Sequence, residues 1–220
     1  MKNATQLIVL SHTRFGESSI VLHTLSQAYG RRSFLVRVGK KTGMALFLPL
    51  NLLEATVVEN PKATLWTAHG FRSCHPLSGI RNNLYKNTMT LFLSEVLFRV
   101  IKDGAREEGL FDWCQRQILT LDALESDFSN FHLLFLLDLC SALGFSPSFE
   151  DMLPFAGKHA AALQGLMDAS FSEALLLPLS GDVRNGICED ILRYLEFHTE
   201  SAVNVRSLAV LREIYDESLC

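Results

Sequence analysis

The chain has 220 residues, enough for one domain or two, and its 48% hydrophobic side chains and mean hydropathy of +0.18 exclude a disordered polypeptide. The net charge of −4, taken over the whole chain, lacks the basic excess of a typical nucleic-acid binder. The longest apolar run, Leu133–Leu137, falls far short of the ~18–20 residues of a membrane span.

From Thr5 to Thr67 the sequence reads as short strands separated by turns. Ala4–Ser11 and Ile20–Leu25 are β-rich, and Arg32–Val38 alternates, with Arg32, Phe34, Val36 and Val38 on one side and Ser33, Leu35 and Arg37 on the other. Ala45–Leu48 and Leu52–Glu59 follow, ended by Asn60-Pro61. Five short strands predict a small closed barrel, since closure hides their edges.

After His75-Pro76 the period changes. Leu84, Thr88, Leu91, Phe92, Glu95, Val96 and Arg99 step at three and four, which predicts a helix of about five turns. A second is expected from about Gly109 to Leu124, and a third from Phe128 to Leu143, ended by Gly144 with Pro147 beyond. The third is apolar nearly all round and is expected at the centre of a bundle, with His132 as a core histidine. Residues 146–182, interrupted by Pro147, Pro154, Gly157, Pro178 and Gly181, read as a mixed connector with a short helix at His159–Ala169. Helices at about Asp182–Glu200 and Val205–Glu217 close the chain, Asn204 being a plausible cap for the last.

The charge is unevenly spread. Up to residue 80 there are nine Lys and Arg against three acids, a net +6, whereas the rest carries −10. Such asymmetry points to two units with different partners. Arg31 and Arg32 at the start of one strand, Arg37 at its end, and Lys40 and Lys41 in the next loop form the basic stretch. Phe34 is expected in the core and Tyr29, in a turn, as the freer ring; cations meet phosphates and rings stack on bases.

Signs of catalysis or metal binding are weak. The five cysteines are odd in number and widely spaced, implying no disulfide framework, and without a secretory signal the expected setting is the cytoplasm. Only Cys74-His75 are close together, and adjacent residues rarely chelate one zinc; Cys140 reads as packing. Gly39-Lys40-Lys41-Thr42-Gly43 fails as a phosphate loop, since Phe34 stands where its first glycine belongs and Lys41 where Ser or Thr belongs. There is no Gly-x-Ser-x-Gly elbow. The expectation is a non-enzymatic protein that needs no cofactor and no metal.

The order of several short motifs carries a resemblance. Ile8-Val9-Leu10 is followed by Arg14-Phe15-Gly16-Glu17-Ser18, Ala28-Tyr29-Gly30-Arg31, Val38-Gly39-Lys40-Lys41 and Leu48-Pro49-Leu50-Asn51-Leu52-Leu53-Glu54. Then come Phe92-Leu93-Ser94-Glu95-Val96-Leu97, Gly109-Leu110-Phe111, Leu143-Gly144-Phe145-Ser146-Pro147 and Arg206-Ser207-Leu208. Together they resemble the RecO family of recombination mediators over nearly the whole chain.

The resemblance implies an α+β protein with an N-terminal OB-fold barrel at about 1–78 and a helical domain at about 79–220. It implies binding of single- and double-stranded DNA, strand annealing, and engagement of the acidic C-terminal tail of the single-stranded-DNA-binding protein (SSB). It also implies action with RecR to load recombinase in recombinational repair. Two departures accompany it. Residues 146–182 contain no cysteine where many relatives carry a four-cysteine zinc module, and Asn130-Phe131-His132-Leu133 stands where some carry an Arg-rich helix start.

The expected DNA contacts are Arg14, Tyr29, Arg31, Arg32, Arg37, Lys40 and Lys41. The expected contacts to the tail are Arg81, Lys86, Arg99, Lys102, Arg106 and Arg116, on or beside the first two helices. The alternative is an adaptor whose barrel and acidic helical domain dock proteins without touching DNA.

Overall fold

The computed structural model of the protein describes residues 2–39, 43–60, 62–63 and 65–217. Five strands, β1 (Lys2–Phe15), β2 (Ser19–Ser26), β3 (Gly30–Arg37), β4 (Leu52–Val58) and β5 (Trp66–Ser73), close a barrel in the order β1-β2-β3-β5-β4. β1 is long because it serves two neighbours, Lys2–Ile8 pairing with β4 and Leu7–Phe15 with β2, and a register shift between Val9 and Ser11 lets it bend between them. A short parallel contact, Phe34 to Trp66 and Leu35 to Thr67, closes the ring. Alternate residues fill it: Leu7, Val9, Ile20, Leu22, Phe34, Val36, Leu53, Ala55, Val57 and Ala68 are buried together. The fold is α+β, an N-terminal OB-fold barrel followed by helices.

Two strand expectations are overturned. Ala45–Leu48 lies largely in a 3-10 turn, Met44–Phe47, which drives Phe47 into the barrel core against Phe71, ring centroids 5.2 Å apart. The remaining strand is Trp66–Ser73, mostly beyond Thr67, where the β region was expected to end. Only Ala68 of this strand is buried, Gly70 has φ +69°, and the register against β4 shifts between Glu54 and Thr56. A strand with one inward residue has no alternation to read.

The strands end at Ser73 and the first helix, α1 (Ser78–Arg81), follows. The described residues of Met1–Ser78 and Ser94–Ile118 make one compact unit, those of Gly79–Leu93 and Leu119–Cys220 a second. The barrel's unit thus takes in a helical segment beyond residue 78. Over the full sequence of these segments, Lys40 and Lys41 included, thirteen Lys and Arg against eight acids give the first unit +5; seven against sixteen give the second −9.

The expected helices appear as α2 (Leu84–Val100), α3 (Leu110–Ala123) and α4 (Phe131–Ala142). α4 has seven of its twelve residues buried, His132 and Cys140 among them. Burial pushes the Cys140 thiol up to about 12, so it packs as an apolar group. Residues 146–182 are not a mixed connector but mainly helical: α5 (Phe149–Ala156), α6 (Ala160–Asp168) and α7 (Phe171–Leu176). The Pro and Gly residues read there as interruptions mark helix ends, except Pro154, which lies inside α5. Two capping boxes start these helices, Ser148 with Asp151 and Ser170 with Glu173.

α8 (Gly181–Thr199) and α9 (Ser207–Glu217) complete the chain. Asn204 lies three residues ahead of α9 and is not its cap. Among the described residues no helix is long and apolar enough to cross a membrane, and no three His, Cys, Asp or Glu side chains gather as a metal site would require.

Candidate nucleic-acid interface

The register sends the expected cations of the barrel to different places. Arg14, near the end of β1, pairs with Ile20 on β2, which pairs with Val36; Phe15 pairs with Ser19, which pairs with Arg37 at the end of β3. Arg14 and Arg37 are exposed at this end of the barrel. Residues directly opposite across antiparallel strands share a face and successive residues alternate, so Arg14 lies on the face of Ile20 and Val36 while Phe15 and Arg37 lie together on the other.

A groove of about 420 Å³ opens at this rim, lined by His12, Arg14, Glu17, Ser18, Ser19, Ile20, Val38 and Met44. Lys40 and Lys41 lie outside the described residues.

Tyr29 and Arg32 sit at the other end of β3. Arg32 precedes Arg37 by five residues, roughly 17 Å along a strand. The Arg32 guanidinium lies 3.9 Å from the centroid of the Trp66 ring, and Tyr29 meets the same ring edge-on at 5.3 Å. The Tyr29 hydroxyl donates to Glu59 at 2.7 Å and accepts from the Asn3 amide at 3.1 Å, and burial raises its pKa. Tyr29 is therefore held in place rather than being the freer ring. Trp66, the platform for Arg32, lies on β5, whose single inward residue leaves no alternation in the sequence to mark it.

Arg31 is taken out of the exposed set. It is 4% exposed, points to the opposite face from Arg32, and is covered by the segment that follows α2. Its Nη1 donates to Asp103 at 3.3 Å and Ser33 at 3.4 Å, and its guanidinium lies over the Phe98 ring at 4.6 Å. Burial lowers its pKa, with Asp103 opposing the shift. Two backbone bonds fix the cover: Arg31 N–H to the Ala105 carbonyl and Gly104 N–H to the Arg31 carbonyl, each 2.8 Å. Arg31 pins this segment to the barrel and offers no cation to a phosphate outside.

The six cations expected to meet an acidic tail are divided between the two units. Arg99, Lys102, Arg106 and Arg116 are exposed in the barrel's unit, with Glu95 3.8 Å from Arg99. Arg81 and Lys86 belong to the other unit. Arg81 donates to Asn87 at 2.6 Å. Lys86 is 3% exposed, and its Nζ donates to the carbonyls of Asp122 and Leu124 beside the Phe128 ring, so it satisfies the C-terminal end of α3. Asn130 is buried too; its amide donates to the Ala174 and Leu177 carbonyls and its oxygen accepts from Arg184. The groove between α4, α6 and α7 is lined by Leu134, Leu137, Leu166, Met167 and Phe171 with Asp138, and no Lys or Arg lines it.

The comparisons with known proteins agree with this architecture. Residues 1–76 match the family model described as Recombination protein O N terminal, and residues 81–153 match Recombination protein O C terminal. A DNA repair protein RecO of Bacteroides fragilis is 29% identical over 227 residues, covering 98% of this chain and 91% of that protein. One of Phocaeicola vulgatus is 27% identical over 240 residues, covering 98% and 100%. One of Flavobacterium johnsoniae is 32% identical over 161 residues, covering 70% and 68%. With the barrel matching one family model, the helices after it the other, and full-length relatives aligned across both, the chain belongs to the RecO family of DNA repair proteins.

Proposed function

We propose that the protein is a non-enzymatic recombination mediator that binds single- and double-stranded DNA through the barrel. It promotes annealing of complementary strands in the cytoplasm and, with RecR, helps load recombinase onto DNA coated by SSB. The observation that carries this reading is the pair of exposed cations at one end of the barrel, Arg14 lining a groove that Glu17 also lines and Arg37 on the opposite face, in a unit of net +5 from a family of DNA repair proteins. Annealing breaks no covalent bond. It requires that the repulsion between two phosphate chains be neutralised while they meet, which a cationic surface supplies by releasing counterions. Phosphate contacts carry affinity and no base information, so the expected binding is strong in low salt and indifferent to sequence.

The second unit, at −9, repels DNA and suits protein partners. The acidic SSB tail is assigned to the exposed set Arg99, Lys102, Arg106 and Arg116, since Lys86 is buried.

Changing Arg14 and Arg37 together to Glu tests the DNA reading. The pair is expected to weaken binding to single strands and duplex alike by at least tenfold at low salt. It is also expected to flatten the dependence of log K on log salt by about 1.5, two phosphate contacts at 0.7–0.9 each. Unchanged affinity in the folded variant would remove the rim from the DNA site.

A further inference from the structure

We propose that Phe15 is a base-stacking residue that makes the barrel rim prefer unpaired strands over duplex, an inference that rests on the DNA-binding reading of this unit. Phe15 is 55% exposed at the end of β1, although the barrel has an apolar interior that takes Phe34 and Phe47 completely. The row Phe15–Ser19–Arg37 places its ring two strands from an exposed guanidinium on one face, roughly 10 Å away at the ordinary strand spacing. Ser19 between them is too small to cover the ring. The next row on the same face is Thr13, Val21 and Leu35, which carries no acidic side chain. Arg14, adjacent in sequence, occupies the opposite face at the groove.

A strand crossing this rim therefore meets the exposed Phe15 ring with the Arg37 guanidinium on the same face and Arg14 on the opposite face of β1's end. A ring can stack only on a base whose face is free. In duplex DNA both faces of an internal base are taken by its neighbours, so Phe15 has a partner in single strands and none in the body of a duplex. Base–aromatic stacking is tolerant of base identity, so the device discriminates strandedness without reading sequence.

The test uses the full chain, labelled oligo-dT, and a duplex closed by loops at both ends so that it has no frayed terminus. Phe15→Ala is expected to lose about 5- to 150-fold in affinity for oligo-dT. The closed duplex should bind it as it binds the parent protein. The salt slope should stay unchanged, because a phenyl ring releases no counterions. Phe15→Trp should retain oligo-dT affinity and add an indole emission that the bases quench on binding. Phe15 lies outside the core, so Phe15→Ala should melt with the parent; equal melting together with selective loss supports stacking. Parent-like oligo-dT binding by Phe15→Ala, or an equal loss on both DNAs with a reduced slope, overturns the assignment. If the parent protein shows no salt-dependent binding to either DNA, the reading of the barrel fails first and the role of Phe15 with it.

Discussion

Gly30→Ala is expected to destabilise the barrel's unit by about 3–5 kcal/mol. The residue sits at φ +64°, where an L side chain costs about 1–2 kcal/mol. Its Cβ would also stand 2.1 Å from the Ala105 carbonyl oxygen and 2.8 Å from the Arg106 Cα, both backbone atoms. That backbone cannot retreat freely, because the two bonds joining it to Arg31 would break, leaving buried groups unpaired at about 1–3 kcal/mol each. Gly16→Ala is the control. Gly16 has φ +70° with nothing within 4 Å of the added Cβ, so it pays the backbone cost alone. Urea unfolding of the two variants separates the contributions; equal midpoints would show that the segment after α2 yields without loss.

Acidification is expected to cost stability through His132. The ring is 2% exposed beside Phe92 and Tyr215, and burial, with the Arg184 charge adding to it, pushes its pKa down to about 3 from an ordinary 6.5. The folded-state value is the lower one, so below pH 6.5 the unfolded chain takes up a proton that the folded chain refuses. The stability associated with the neutral ring is complete above pH 6.5 and is lost progressively as the pH falls toward about 3. At 1.36 kcal/mol per pH unit the loss by pH 5 is about 2 kcal/mol. His132→Leu removes the titrating group while keeping an apolar side chain there. Its urea midpoint should fall by less than the parent's between pH 7 and 5, and identical falls would contradict the burial account.

Much of the architecture was legible because it follows from periodicity. The inward rows of β2 and β3 and the stripes of α2 and α3 need only local alternation, and the apolar circumference of α4 states its own burial. β5 was not legible, since its side chains are mostly outward and its pairing is set by strands far away in sequence. The helices of 146–182 have a signal in the sequence: Ser148 to Asp151 and Ser170 to Glu173 have capping-box spacing, which outweighs prolines and glycines that merely mark helix ends.

The site was legible only as a composition. Arg14, Arg31, Arg32 and Arg37 look alike in sequence, and what separates them is tertiary. Arg31 is covered by a segment some seventy residues away, Arg32 rests on a ring from β5, and Arg14 and Arg37 stay free of such cover at the rim. Lys86 likewise reads as an exposed helix cation until the carbonyls at the end of α3 are brought to it. Phe15 carried a usable sign, an aromatic between Arg14 and Gly16 at a strand tip, where no inward position remains for it.

The central claim, that the barrel rim binds DNA through its cations, is tested most directly by titrating labelled single-stranded DNA with the full chain at several salt concentrations. With Arg14 and Arg37 of the rim, and Lys40 and Lys41 as the contacts expected from the sequence alone, each neutralising one phosphate, log K should fall against log salt with a slope of about −3. A slope near zero, or no binding even at low salt, would contradict it.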